Sequence, residues 1–252
     1  LNFDNAGDLA EDTSFSSIVT PSATGTMPTV AGACGPFAVQ ASAASNVNFS
    51  PSLSLAGDYS VALWVQLPLP RDGGAHCLFA TATGGQCALA LSDGAPYQLG
   101  IVVNDGIFIQ SGAEIDARHT RRVSQTAADL DGALFGGWHH VAVTCTALKG
   151  QCLFYTDGEL TGAVDSKPIG DVIMLHQSGV SFGSVDDVQF YRRALGASEV
   201  FALAARGVHV GDTVVVFSDT VSVPGTASLV AAGAFTHLEL AENVQMQFTG
   251  NS

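Results

Sequence analysis

Charge is scarce in this sequence. Only 13% of its 252 residues are charged, and Lys plus Arg number 9 against 23 Asp plus Glu. The net charge of -14 repels phosphate backbones and anionic headgroups, which argues against nucleic acid as a partner. No run reaches the ~18 apolar residues of a membrane-crossing helix, so no helical membrane insertion is expected. The motifs GxxxxGK and HExxH are missing, and cofactor chemistry has no visible carrier. Only two tryptophans occur, Trp64 and Trp138, both in core-like strand patterns, which leaves no evident aromatic platform for a sugar. The chain opens with neither an initiator Met nor a charged, apolar leader, and it is expected to be a mature or excised piece of a longer secreted protein.

What is abundant is apolar. Hydrophobic residues make up 47%, enough to offset the entropy of ordering and to bury a core at this length. Short Val, Ile, Leu, Phe and Thr runs alternate with Gly, Asp, Asn and Pro, the pattern of antiparallel sheets. Tyr59 to Leu67 alternates in period two. Val61, Leu63, Val65 and Leu67 share one face, with Tyr59 in the same parity, and Ala62 and Trp64 lie on the other, which predicts a central strand covered on at least one side. Runs at Tyr97 to Val103 and Ile107 to Gln110 flank an Asn-Asp-Gly turn signal.

Four of the five cysteines fall in close pairs. Cys77 and Cys87 flank a Gly-containing turn, and Cys145 and Cys152 flank Ala147 to Gly150, so each pair is expected to bridge a hairpin in an oxidising compartment. Zinc is the weaker alternative, because the spacings exceed CxxC and no His pair sits at ligand spacing beside them. Cys34 is left over and is expected to pair with a segment outside this chain. Asn48-Phe49-Ser50 is an N-glycosylation sequon, followed directly by Pro51.

Ser111 to Gly137 is polar and reads as a long loop, with Arg118, His119, Arg121 and Arg122 forming a basic cluster that serves recognition or is simply solvated. A helix is expected over Ala194 to Ala205, capped by Ser198 and turning Val200, Leu203 and Ala204 inward. After Gly207 the texture changes to short β runs without aromatic hairpins, which predicts a sandwich over 1–206 and a second β module or β-rich extension over 207–252.

Three segments in one order resemble the laminin G-like branch of the concanavalin A-like superfamily. They are Tyr59 to Val65, then Gly137 to Thr144 followed by Leu153 to Leu160, and Gly183 to Leu195 with Glu199-Val200 beyond. Leu1 to Asn5 also resembles the family's first strand. The resemblance implies an all-β antiparallel jelly-roll sandwich of two sheets. It also implies a calcium ion joining the first strand to the closing one, with Asp186 and Asp4 as ligands. Asp186 shares parity with Val188 and Phe190 and is expected to point inward, where it needs either a cation or backbone amide donors.

The resemblance sets His139 and His140 on opposite faces of one strand, which favours a structural role over acid–base work. Glu114-Ile115-Asp116 begins the Glu-x-Asp-x-x-Glu signature of glucanases in the same superfamily, but His119 stands where the second glutamate belongs. The two carboxylates of retaining hydrolysis are therefore incomplete. The sequence predicts a non-catalytic extracellular module that contacts protein or glycan, or that helps to assemble a larger surface structure. Hydrolysis of a glucan is the alternative.

Overall fold

The computed structural model describes residues 20–34, 37–40, 42, 44–69, 73–82, 85–93, 97–103, 106–115, 137–175, 183–205, 213–216 and 237–240. Its strands are β1 (Thr20–Thr24), β2 (Thr29–Val30), β3 (Ala38–Gln40), β4 (Asn46–Ser54), β5 (Tyr59–Leu67), β6 (His76–Cys77), β7 (Phe79–Thr81), β8 (Cys87–Leu91), β9 (Tyr97–Val103), β10 (Ile107–Ile115), β11 (Gly137–Thr146), β12 (Gln151–Thr156), β13 (Glu159–Val164), β14 (Asp171–Leu175), β15 (Ser184–Tyr191), β16 (Thr213–Val216) and β17 (His237–Leu240). Among the described residues there is one helix, α1, which spans Ala197–Ala205.

Two antiparallel sheets form the body. An eight-stranded sheet runs β1-β4-β14-β7-β8-β9-β10 with β6 beside β8, and a seven-stranded sheet runs β13-β12-β11-β5-β15-β3-β2. The expected jelly-roll sandwich is present. Alternation decides which side chains meet between the layers. Tyr59, Val61, Leu63, Val65 and Leu67 of β5 and Val141 and Val143 of β11 face Phe79, Leu89, Leu91, Leu99 and Ile101 of the opposite sheet in one buried cluster. Strand β5 is covered on both sides, because Ala62 and Trp64 on its other face are buried as well.

The cover over one half of that outer face is the helix. Ala62, Ala142 and Tyr155 pack with Leu195 and Val200 in a second apolar cluster, joined by Leu203. Helix α1 is shorter than its sequence pattern, and its cap is Gly196 rather than Ser198. The Gly196 carbonyl accepts from the amides of Glu199 and Val200, and the Glu199 carboxylate reaches back to the Gly196 amide at 2.9 Å. Both oxygens of Glu199 also take Arg193, at 2.7 and 2.8 Å, so one side chain satisfies the helix start and ties it to the end of β15. The far end of the helix rests on the β12–β13 turn. There Asp157 and Gly158 both have positive φ, as a tight hairpin requires, and a side chain at Gly158 would stand 3.1 Å from Ala204 and Phe201.

One expectation is corrected here. Strand β10 continues through Ser111 to Ile115, with Glu114 opposite Gln98 on β9, so the polar loop begins later than its composition indicated. A register shift between Gln110 and Glu114 hides this continuation from a period-two reading. The remainder of that loop, including Asp116, Arg118, His119, Arg121 and Arg122, lies outside the described residues, as does Leu1 to Asn5. In the C-terminal part, β16 and β17 pair in parallel, Thr213 opposite His237 through Val216 opposite Leu240. This two-stranded ladder belongs to neither large sheet.

Candidate functional site

Asp186 sits opposite Trp64 on the neighbouring strand, on the outer face of the seven-stranded sheet rather than in the core. Sequence parity failed because β15 carries a bulge. The register shifts between Asp186 and Gln189, and Asp187 adopts φ 43°, so Val185 and Val188 both enter the core cluster while Asp186 turns away. The carboxylate is fully buried. One oxygen accepts the amides of Ala33 at 2.8 Å and Cys34 at 2.9 Å, and the other accepts the Asp187 amide at 2.7 Å. Burial raises its pKa, and the three amides pull it partly back.

A calcium ion takes six to eight oxygen ligands. What converges on Asp186 is a ring of N–H groups, whose positive ends suit an anion and oppose a cation. Among the described residues no group of three His, Cys, Asp or Glu side chains is placed to hold a metal. The described surroundings of Asp186 therefore do not fit the ion that the resemblance implied. Asp4, the second candidate ligand, lies outside the described residues. The strap at Ala33 and Cys34 was not legible in the sequence, since its partner is more than 150 positions away and the contact is made by backbone amides alone.

The histidine pair divides as alternation requires. His140 lies opposite Trp64 and packs edge-on against its indole, with centroids 5.5 Å apart. His139 lies opposite Val65 and donates Nδ1–H to Asp157 at 2.9 Å. The other Asp157 oxygen accepts the His140 amide at 2.8 Å, and the Asp157 amide donates to the His140 carbonyl. This carboxylate thus fastens the end of β11 to the turn after β12. Both imidazoles are buried. The Asp157-Gly158 turn was visible in the sequence. Its contact with His139 follows from the hairpin register, which brings Val141 opposite Thr156.

Beyond the buried row of His140, Trp64 and Asp186, the same outer face reaches solvent. Trp138 is directly opposite Gln66, and Ser184 is opposite Gln40. Continuing the β5–β15 register by one residue from Val65 and Val185 sets Ser184 against Gln66. Trp138 is half-buried, Gln66 and Gln40 are exposed, and Ser184 is buried beneath them. The expectation that both tryptophans are core residues holds for Trp64 and fails for Trp138, which stands at the start of its strand where cover runs out.

On the eight-stranded sheet, Asn48 is half-buried, and its amide group donates to Thr24 at 2.8 Å and to Asn46 at 3.0 Å. The sequon residue is therefore built into a row of polar side chains on β1 and β4. Both expected disulfides are present. Cys77–Cys87 joins β6 to β8, with Cα atoms 5.6 Å apart, and Cys145–Cys152 crosses directly between β11 and β12. Cys34 takes part in neither, and it is half-buried. Glu114 lies on an edge strand, and its would-be partners Asp116 and His119 are outside the described residues, so no paired-carboxylate geometry is described.

No curated protein matches this sequence. Among solved structures, the botulinum neurotoxin serotype C1 binding domain is similar with a TM-score of 0.55 at 11% identity, over 77% of this chain and 48% of that one. The serotype D/C binding domain gives 0.54 at 10%, over 77% and 48%. A botulinum neurotoxin type C structure, described with cell entry dependent upon interaction with two ganglioside molecules, gives 0.54 at 11%, over 77% and 47%. The chain thus spans about half the length of these toxin domains, and at such identities the likeness is one of fold. A family model described as concanavalin A-like lectin/glucanases superfamily, the laminin G-like type, matches residues 41–201. With the two-sheet sandwich, the helix after β15 and the β11–β12 hairpin all in place, the chain belongs to the laminin G-like family of the concanavalin A-like superfamily.

Proposed function

We propose that this chain is a non-catalytic extracellular recognition module whose ligand is a glycan, free or carried on a protein. One observation carries the reading. The side chains that acid–base chemistry would use, His139, Asp157 and Asp186, are bonded to one another or to backbone amides, while the exposed polar groups Gln66 and Gln40 are neutral amides. Such groups bind and orient but do not transfer protons. Two intrachain disulfides support an oxidising compartment, and the toxin domains of the same fold are named as binding domains.

The test is binding of the whole chain to a printed glycan array, followed by product analysis on every glycan retained. Retention without turnover is expected. Turnover of a β-glucan that is lost in Glu114→Gln would replace the binding reading with the hydrolase one. Absence of retention on any glycan would leave protein contact as the function to pursue.

A role in assembly has its own support. Cys34 stands outside both disulfides, and the parallel pair β16–β17 is separate from the sandwich sheets. We assign residues 1–206 to the recognition sandwich and 207–252 to a second β module, with Cys34 bonded to a segment outside this chain. Mass spectrometry under non-reducing conditions tests the cysteine, and an unmodified thiol at Cys34 would remove the covalent part of the reading.

A further inference from the structure

We infer that the row Trp138, Gln66, Ser184 and Gln40 is a subsite for a neutral oligosaccharide. The inference rests on the recognition reading above and adds a place and a ligand class. These four residues come from four adjacent strands, β11, β5, β15 and β3. At the usual spacing of paired strands the row extends about 14 Å across the sheet, a length suited to a short saccharide lying across the strands.

The chemistry is divided as a sugar requires. Trp138 is partly exposed beside its directly opposite neighbour Gln66, and an indole carries a flat apolar face. A pyranose or furanose presents C–H bonds on one face and hydroxyls around its edge. The ring stacks on the indole, and each glutamine amide supplies two donors and a carbonyl acceptor to adjacent hydroxyls. Ser184 lies between them and is buried, so it forms a low floor that lets a ligand approach the sheet. The strands are fixed on both sides of the row. The Asp186 latch holds the strap beside it, and Asp157 clamps the end of β11.

Charge selects the class of sugar. No member of the row is ionisable, and the chain carries a net charge of -14, so a sialylated or sulfated glycan gains no counter-charge from these four residues and meets the long-range repulsion of the net charge. A neutral glycan loses nothing by this. Among the described residues, much of the rest of the same face is covered. Helix α1 covers Ala62, Ala142 and Tyr155, and His140, Trp64 and Asp186 are buried.

The experiment titrates the whole chain with neutral trisaccharides of glucose, galactose and arabinose, using a sialylated trisaccharide as the charged comparison. It reads both calorimetry and tryptophan fluorescence. Trp64 is buried and Trp138 is half-buried, so a change in emission on binding reports Trp138. The expected result is saturable binding of at least one neutral trisaccharide with a shift in emission. Affinity should fall about tenfold in Trp138→Ala, as befits loss of an aromatic contact, and less in Trp138→Phe. Gln66→Ala and Gln40→Ala should each weaken binding by roughly threefold to tenfold. Both are surface positions, so they test the site even if Trp138→Ala fails to fold.

Binding with unchanged affinity in both glutamine variants and no change in emission would overturn the subsite and leave the recognition reading standing. Binding of the sialylated sugar alone would overturn the ligand class. If no trisaccharide binds here and the glycan array is also blank, the subsite and the glycan reading fall together.

Discussion

Val185 and Val188 are three residues apart on one strand, and both pack into the core between the sheets. A regular strand cannot do this, because positions three apart point to opposite faces. The bulge at Asp187 resolves the conflict by admitting an extra residue at φ 43°. Asp187 holds the turn in place by accepting the Gln189 side-chain amide at 2.7 Å. An acidic residue tolerates left-handed backbone better than a β-branched one. Asp187→Val is therefore expected to cost roughly 1–3 kcal/mol, and Asp187→Gly distinctly less, in urea midpoints with unchanged slope. Equal losses in the two variants would show that the backbone conformation is not what selects Asp187.

That bulge also marks the boundary of what the sequence disclosed. Strand β5 alternates without interruption, and its period-two pattern alone gives its two faces from Tyr59 to Leu67. The disulfide hairpins were legible for a similar reason, since their partners are local and the turns carry Gly. Parity points Asp186 to the wrong face, because an inserted residue leaves no mark in a hydrophobic pattern. Its amide partners lie on a strap contributed from the far end of the chain. The motif around Trp138 is core-like further along the strand, and only the register shows that Trp138 stands opposite exposed Gln66.

The latch at Asp186 makes a prediction about calcium. Three N–H groups already saturate most of the carboxylate's acceptor positions, so the melting midpoint should be the same with excess calcium and with chelator. Asp186→Asn keeps the shape but turns an NH2 group toward at least one amide donor. It should destabilise by roughly 1–3 kcal/mol, equally in both conditions. A calcium-dependent rise in the wild type that disappears in Asp186→Asn would show instead that the carboxylate binds the ion. Calorimetric titration of the wild type with calcium checks the same point without any variant.

Acid should act on two carboxylates with opposite sign. Glu199 is held down to about 2 by its hydrogen bonds to Arg193 and the Gly196 amide. A depressed value in the folded state means stability that is present above the unfolded value of about 4.5 and lost as pH falls through about 2. Asp186 is raised by burial, so the stability linked to it is fully present below its unfolded value and is lost as pH rises through the folded one. Comparing wild type with Glu199→Gln from pH 6 down to pH 2 isolates the first effect. The variant should be less stable at pH 6, and the gap should narrow through the window from about 4.5 toward 2. Glu199 is solvent-facing, so the gap should also shrink with added salt. A gap that stays constant with pH would mean that Glu199 acts through helix packing rather than charge.

The disulfide between Cys145 and Cys152 closes a short loop, with a sequence separation of 7. Chain entropy alone assigns such a closure roughly 2–3 kcal/mol. Here the bridge is also part of the core, because both sulfurs belong to the central cluster and neither residue is exposed. Replacing both with Ala removes the cross-link and leaves a small void at a directly paired position of β11 and β12, so the loss should exceed the entropic share by about 1 kcal/mol. Burial carries a kinetic consequence as well, since a reducing thiolate must reach the sulfur in line. In the native protein, mild reductant should leave this bridge intact until the sandwich opens, and the reduction rate should rise with urea in step with global unfolding. Reduction in native buffer at a rate independent of urea would show that the β11–β12 hairpin opens locally, and the bridge would then be holding a hairpin rather than the core.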